Sequence, residues 1–233
     1  MHRCLSCPEC LLVQSRRFSQ EKQKVHVTIL YRHWNSSSLR KLLYAKRLPI
    51  RLTETADYYA LPDEQRVELI DGYFYDMSAP TFGHQSIGGE IHRQIANYIL
   101  EHKGNCRPFI APVDVQLDCD NKTMVQPDVG IICDPSKIKK FGIYGAPDFL
   151  VEVISPSTKR KDYTLKLSKY MNAGVREYWI MDYAQRKLLV YFFESEACPV
   201  IYGLDQPVPV GIYHGELTID FSNILKWIEK DLV

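Results

Sequence analysis

Two hundred and thirty-three residues, 45% apolar, 12% aromatic and 24% charged, describe a globular chain and exclude disorder or a collagen-like repeat. With 29 basic against 28 acidic side chains there is no global field to draw the protein onto nucleic acid or an anionic membrane, so any such affinity must come from local clusters. No apolar run nears the roughly 20 residues of a bilayer-crossing helix, which argues against membrane association.

Residues 1–50 have few strand-like alternations and several basic clusters, at Arg16 and Arg17, Arg40 and Lys41, and Lys46 to Arg51, and read as an extension ahead of one folded domain over 51–233. Cys4, Cys7 and Cys10 offer three ligands of a metal site without a fourth at a familiar spacing. Only CLLV is apolar ahead of the two arginines, too little for a signal peptide. Cys106, Cys119, Cys133 and Cys198 are scattered through the body, which fits a reducing cytoplasm better than a disulfide-rich secreted scaffold.

Regular patterning starts at Thr53, placed to cap a short helix that ends before Pro62. VELI and YFYDM flank Asp71-Gly72, which predicts a hairpin of strands 67–70 and 73–77. Ile87, Ile91, Ile95 and Ile99 make one apolar stripe on a helix from Phe82 to about Lys103, stopped by Gly104. PVDVQLD and TMVQPDVGIIC then predict a second hairpin turning at Asp120-Asn121. After a polar loop at Ile138 to Gly142, DFLVEVI reads as a strand apolar on both faces, hence central in its sheet. Ser157 or Thr158 can cap the next helix, with Tyr163, Leu167 and Tyr170 on one side and Gly174 at its end. VREYWIMD and KLLVYFFE give two more strands joined at Tyr183 to Arg186, and FSNILKWIEKDL a short amphipathic helix packed on the core.

Three carboxylates break this pattern. Glu152 lies between Val151 and Val153, Asp128 in VQPDVGII, and Glu68 in VELI, and an ionised acid buried in such a run is costly unless a cation meets it. Acids about 4 Å apart repel by about 4 kcal/mol at an effective dielectric of 20, so if the strands adjoin, the three side chains stay protonated or hold a cation. Mg²⁺ suits two or three carboxylates without His or Cys. Lys159, Arg160, Lys161, Lys166 and Lys169 crowd the next helix, mostly as a solvated face, but a lysine in its first turns reaches back toward Glu152. His84 reads as a capping or packing residue, Ser155 and Ser157 as turn and cap residues, and Tyr178 and Trp179 as sheet packing.

The strings QPDVGII, PDFLVEVISPST and DYTLKLSKYMNAGVREYWIMD, with ADYYALPDEQRVELIDGYFYDMSAPTFGHQSIGGEIHRQI upstream, resemble the Uma family of restriction endonucleases, a branch of the PD-(D/E)XK nuclease superfamily, over about residues 53–195. The resemblance implies an α/β, restriction-endonuclease-like fold with a mixed β-sheet flanked by helices, and a Mg²⁺-dependent endonuclease acting on DNA, with Mn²⁺ as a substitute. It places Asp128 at the aspartate of the PD motif, Glu152 at the acid of (D/E)XK, and Glu68 at the acid of the first element, all three as metal ligands. The motif's lysine should stand at position 154, which is Ile154, so that role passes to Lys166 on the following helix, with Lys169 in reserve. Cutting both strands of a duplex favours a homodimer by symmetry. Two rivals are a nucleic-acid-binding module that kept this fold and lost catalysis, and a structural or partner-binding protein whose acids are salt-bridged, which Asp128 and Glu152 far apart and each paired to an arginine would favour.

Overall fold

The computed structural model describes residues 53–62, 64–117, 121–155, 159–195 and 198–231. The expected extension over 1–50 with Cys4, Cys7 and Cys10, together with Cys119, Asp120 and the cap positions Ser157 and Thr158, lies outside the described residues. No described helix is long and apolar enough to cross a membrane.

A single helical turn, α1 (Thr55–Tyr58), is the first described element; its N-cap is Glu54, not Thr53, and the Glu54 amide donates to Asp57 Oδ2 at 2.9 Å. The hairpin β1 (Val67–Ile70) and β2 (Tyr73–Asp76) turns at Asp71-Gly72 as expected, both residues having positive φ, 53° and 79°. Helix α2 (Phe82–Glu101) carries the isoleucine stripe, all four side chains at most 5% exposed. Burying each contributes about 1.5–3 kcal/mol of transfer free energy. Its end differs from expectation. Lys103, not Gly104, takes the left-handed conformation (φ 52°), and the amides of Gly104 and Lys103 donate to the Ile99 and Leu100 carbonyls, closing a Schellman motif.

The chain continues through β3 (Arg107–Ile110), β4 (Val115–Gln116), β5 (Met124–Val125) and β6 (Val129–Ile132). Then come β7 (Ile138–Lys139), β8 (Gly142–Tyr144) and β9 (Phe149–Val153). Two sheets form, ordered β2-β1-β5-β4-β8-β7 and, with three later strands, β12-β11-β10-β9-β6-β3. The segment expected as one returning strand over TMVQPDVGIIC is therefore two, one in each sheet. The break is explained by where the backbone groups go: Pro127 has no N–H, the Gln126 amide donates to the Glu68 side chain at 3.2 Å, and the Asp128 carbonyl accepts from Ala111. The polar loop at 138–142 also proves to be a small hairpin, β7 with β8.

Strand β9 sits inside the second sheet, antiparallel to β6 and parallel to β10 (Glu177–Asp182), with all five residues buried. Between them the chain forms α3 (Lys159–Lys161), a five-residue π-helical insert (Asp162–Lys166) and α4 (Leu167–Ala173), ended by Gly174 at φ 91°. Strands β11 (Lys187–Phe192) and β12 (Val200–Gly203) finish this sheet. A short pair, β13 (Val208–Pro209) and β14 (Thr218–Ile219), precedes α5 (Ser222–Asp231).

The core divides at the second sheet. On one face Val129, Ile131, Phe149, Val151, Val153, Trp179 and Met181 pack with the α2 isoleucines and with Phe221 and Ile224. On the other, Ile132, Leu150, Ile154, Tyr178 and Ile180 pack with Tyr170 and with Ile70, Val115, Val125 and Ile143 of the first sheet. Cys106 and Cys133, expected as separate thiols, are disulfide-bonded; the β3–β6 register sets Arg107 opposite Ile132 and brings their Cα atoms to 4.0 Å.

Candidate active site

Alternation along β9 decides where Glu152 goes. Phe149, Val151 and Val153 face α2, so Leu150, Glu152 and Ile154 face the opposite cluster, where Tyr170 lies. In β1, Glu68 shares parity with Ile70, which packs in that cluster, and Glu68 is 0% exposed. Asp128 occupies the crossing between the sheets, one residue before β6.

The three acids meet. Lys166 Nζ lies 2.7 Å from Glu68 Oε1 and 2.8 Å from Glu152 Oε1, with Asp162 Oδ1 at 3.7 Å. The Tyr170 hydroxyl donates to Glu152 Oε1 at 2.6 Å. Lys161 Nζ reaches Glu68 Oε2 at 2.5 Å. The Val153 amide, next along from Glu152, donates to Asp128 Oδ2 at 2.7 Å, and His84 Nε2 approaches the same oxygen to 3.2 Å. Glu68, His84, Asp128, Glu152, Lys161 and Lys166 line one cavity of about 500 Å³. The π-helical insert serves this arrangement. Asp162, Lys166 and Tyr170, four residues apart in turn, are all buried on the side that faces Glu152.

Electrostatics follow from the crowding. Burial pushes the Glu152 carboxyl up and Lys166 opposes it, but the charges of Asp128, Asp162 and Glu68 add to the rise, to about 8. Burial also raises Glu68, but Lys166 and Lys161 more than offset it and hold that carboxyl below its ordinary value. For Lys166, burial is outweighed by Glu152, Glu68 and Asp162, so its ammonium is held well above the usual lysine range and stays a hydrogen-bond donor rather than a base. Burial pulls His84 down, and the hydrogen bond and charge of Asp128 more than reverse it.

Among the described residues no three acidic, histidine or cysteine side chains stand at metal-ligand spacing. Ammonium groups occupy the intervening positions, Lys166 between Glu68 and Glu152 and Lys161 on the second oxygen of Glu68. The donor set nonetheless fits a hard divalent ion in kind and in charge. Its acids offer oxygen only, and with all groups ionised the four carboxylates against two ammonium groups and the His84 imidazolium leave one negative charge uncompensated.

The match to known proteins is consistent with this geometry. A family model described as "Putative restriction endonuclease", Uma2, matches residues 55–222. This chain belongs to the Uma2 family. An uncharacterized protein of Synechocystis sp. is 24% identical over 153 residues, covering 64% of this chain and 79% of its own. A crystal structure from Anabaena variabilis, titled a putative nuclease belonging to DUF820, superposes with a TM-score of 0.61 at 20% identity, covering 75% of this chain and 98% of that one. The mixed sheets with flanking helices are thus the restriction-endonuclease-like fold expected for a Uma2 protein.

Of the sequence candidates, Glu68, Asp128, Glu152 and Lys166 converge. Lys169 does not; it pairs with Asp71 Oδ1 at 2.5 Å, at the hairpin turn. His84 departs from its expected role, because Thr81 caps α2, its hydroxyl accepting from the His84 amide, while the His84 ring lies against Asp128. Trp179 and Tyr178 pack as expected, Trp179 edge-on to Phe149 and Tyr178 to Tyr170. Tyr170 was visible only as part of an apolar stripe and Lys161 only as one charge in a basic run. The four-residue spacing of Asp162, Lys166 and Tyr170 is the signal that points to Tyr170; no comparable spacing singles out Lys161.

Proposed function

We propose that this Uma2 protein is a metal-dependent endonuclease that hydrolyses DNA phosphodiester bonds. In this reading Asp128 and Glu152, helped by Glu68, hold Mg²⁺ or Mn²⁺, and Lys166 orients the attacking water. The observation that carries the reading is one buried lysine 2.7 and 2.8 Å from acids of two different sheets, beside a third acid on the same cavity wall.

Each side chain has a separate task. Tyr170 and Lys166 both engage Glu152 Oε1, fixing that carboxylate so that Oε2 is the oxygen left for a ligand. The Val153 amide and His84 do the same for Asp128 through Oδ2. The Lys166 ammonium donates to the incoming water and stabilises negative charge that develops on phosphorus. A bound divalent ion supplies a lowered water pKa and further charge stabilisation. The product carries a 5′-phosphate, as the superfamily resemblance suggests.

The inactive-module rival draws on the displaced lysine and on the near-neutral overall charge; Lys166, reaching Glu152 from the helix, answers the first of these. The structural rival would be favoured by Asp128 and Glu152 far apart and each on an arginine; they instead line one cavity, with His84, Lys166 and Tyr170 as side-chain partners. Incubation of the purified protein with plasmid, linear DNA and RNA in Mg²⁺ or Mn²⁺ tests the reading. Cleavage of DNA is expected, and cleavage that survives both Asp128→Asn and Glu152→Gln would refute the assignment.

A further inference from the structure

Glu68 is saturated. Its Oε1 accepts from the Gln126 amide at 3.2 Å and lies 2.7 Å from Lys166, and its Oε2 lies 2.5 Å from Lys161. A carboxylate engaged on both oxygens meets a divalent ion only if one of these partners leaves. The Gln126 amide is backbone. Lys166 is 3% exposed and pairs with three acids at once, so its withdrawal would strand all of them. Lys161 is different. Its side chain is 17% exposed, among the described acids it pairs with Glu68 alone, and it stands on the cavity wall with its ammonium 5.8 Å from the Tyr75 ring centroid. Its neighbour Lys159 is committed elsewhere, to Asp182 at 3.0 Å.

We infer that Lys161 is an exchangeable counter-ion. It neutralises Glu68 while the site lacks a divalent cation, and turns to a non-bridging oxygen of the substrate phosphodiester once its place on Glu68 is taken. The inference rests on the nuclease reading and adds a substrate-binding residue to it. A long, flexible stem suits the exchange, because an ammonium on four methylenes sweeps several ångströms without moving its helix. The displaced cation also arrives where it is needed, since the substrate brings a negative charge into the same cavity.

Two substitutions with opposite expected signs test this on the full chain. Mn²⁺ alone is titrated by calorimetry without nucleic acid, and DNA cleavage is measured separately. Lys161→Gln removes the competitor and should tighten Mn²⁺ binding about five- to tenfold, while kcat/KM for DNA falls about a hundredfold. Lys161→Arg holds a carboxylate more firmly and should weaken Mn²⁺ binding about threefold or more. The arginine variant, with its charge kept, also covers the case in which the glutamine variant fails to fold. Unchanged or weakened Mn²⁺ binding by Lys161→Gln, or tightened binding by Lys161→Arg, overturns the inference while a cleaving wild-type protein keeps the nuclease reading. Absence of Mn²⁺ binding in the wild type and both variants overturns the two together.

Discussion

Two glutamates on adjacent strands, Glu152 in β9 and Glu177 in β10, are 4% and 0% exposed, yet they live in opposite surroundings. Glu177 is met by neutral donors: Trp179 Nε1 at 2.7 Å on one oxygen and the Ile212 amide at 2.9 Å on the other. Burial raises its carboxyl, and those hydrogen bonds hold the rise in check. Glu152 shares its space with three other acids, a lysine and a cavity. A buried carboxylate is therefore no mark of chemistry by itself. Glu177 ties the loop at Gly211 to the sheet, whereas Glu152 belongs to a cluster of four acids and two ammonium groups that lines a cavity.

The contrast can be broken most sharply at Glu152. Glu152→Gln should lower DNA cleavage by about a thousandfold or more with little change in melting temperature, since it also relieves repulsion among the acids. A plasmid-nicking assay beside a thermal melt reads both. Glu177→Ala should invert the pattern. It leaves the Trp179 and Ile212 donors without an acceptor and should cost about 2–4 kcal/mol in urea unfolding, with the activity of the folded fraction unchanged. Tyr170→Phe falls between. Losing one hydrogen bond to Glu152 should cost cleavage about tenfold and raise the Mg²⁺ concentration needed for half-maximal rate, readouts that a purely packing role would not move.

The smallest effect is expected at Glu90 of α2, where the exposed Arg93 binds both carboxylate oxygens at 2.8 and 2.6 Å and Gln94 adds a third bond at 2.9 Å. These partners, Arg93 foremost, hold its carboxyl below the ordinary 4.5. A depressed folded-state value means that the stabilisation is present above that ordinary value and lost as pH falls through the folded one. Glu90→Gln should thus destabilise by about 0.5–1 kcal/mol near pH 7, a gap that closes in denaturation curves as the pH falls through the depressed folded-state value.

Much of this was legible in the sequence, for identifiable reasons. The Asp71-Gly72 hairpin, the isoleucine helix and the central β9 depend on local chemistry and a single period, so they emerge where expected. Glu68, Asp128 and Glu152 stood out because each violates the pattern of its own strand. The break between β5 and β6 was not legible, because it depends on a side chain 58 residues away, Glu68, taking the Gln126 amide. His84 was misjudged for a similar reason: its cap position is local, while its contact with Asp128 spans the fold. The π-helical insert escaped because the helix reads as ordinary α-periodicity, and only the packing of Asp162, Lys166 and Tyr170 distinguishes it.

Ile154, 4% exposed, fills a core position where the superfamily motif would place its amine. Moving that amine onto the helix divides the labour: the strand anchors and the helix reaches. Lys161, Lys166 and Tyr170 all stand on the 159–173 segment, outside the rungs of the β9–β10 ladder. Substitutions on that segment can thus retune the amines while Glu68, Asp128 and Glu152 keep their seats on or beside the sheets.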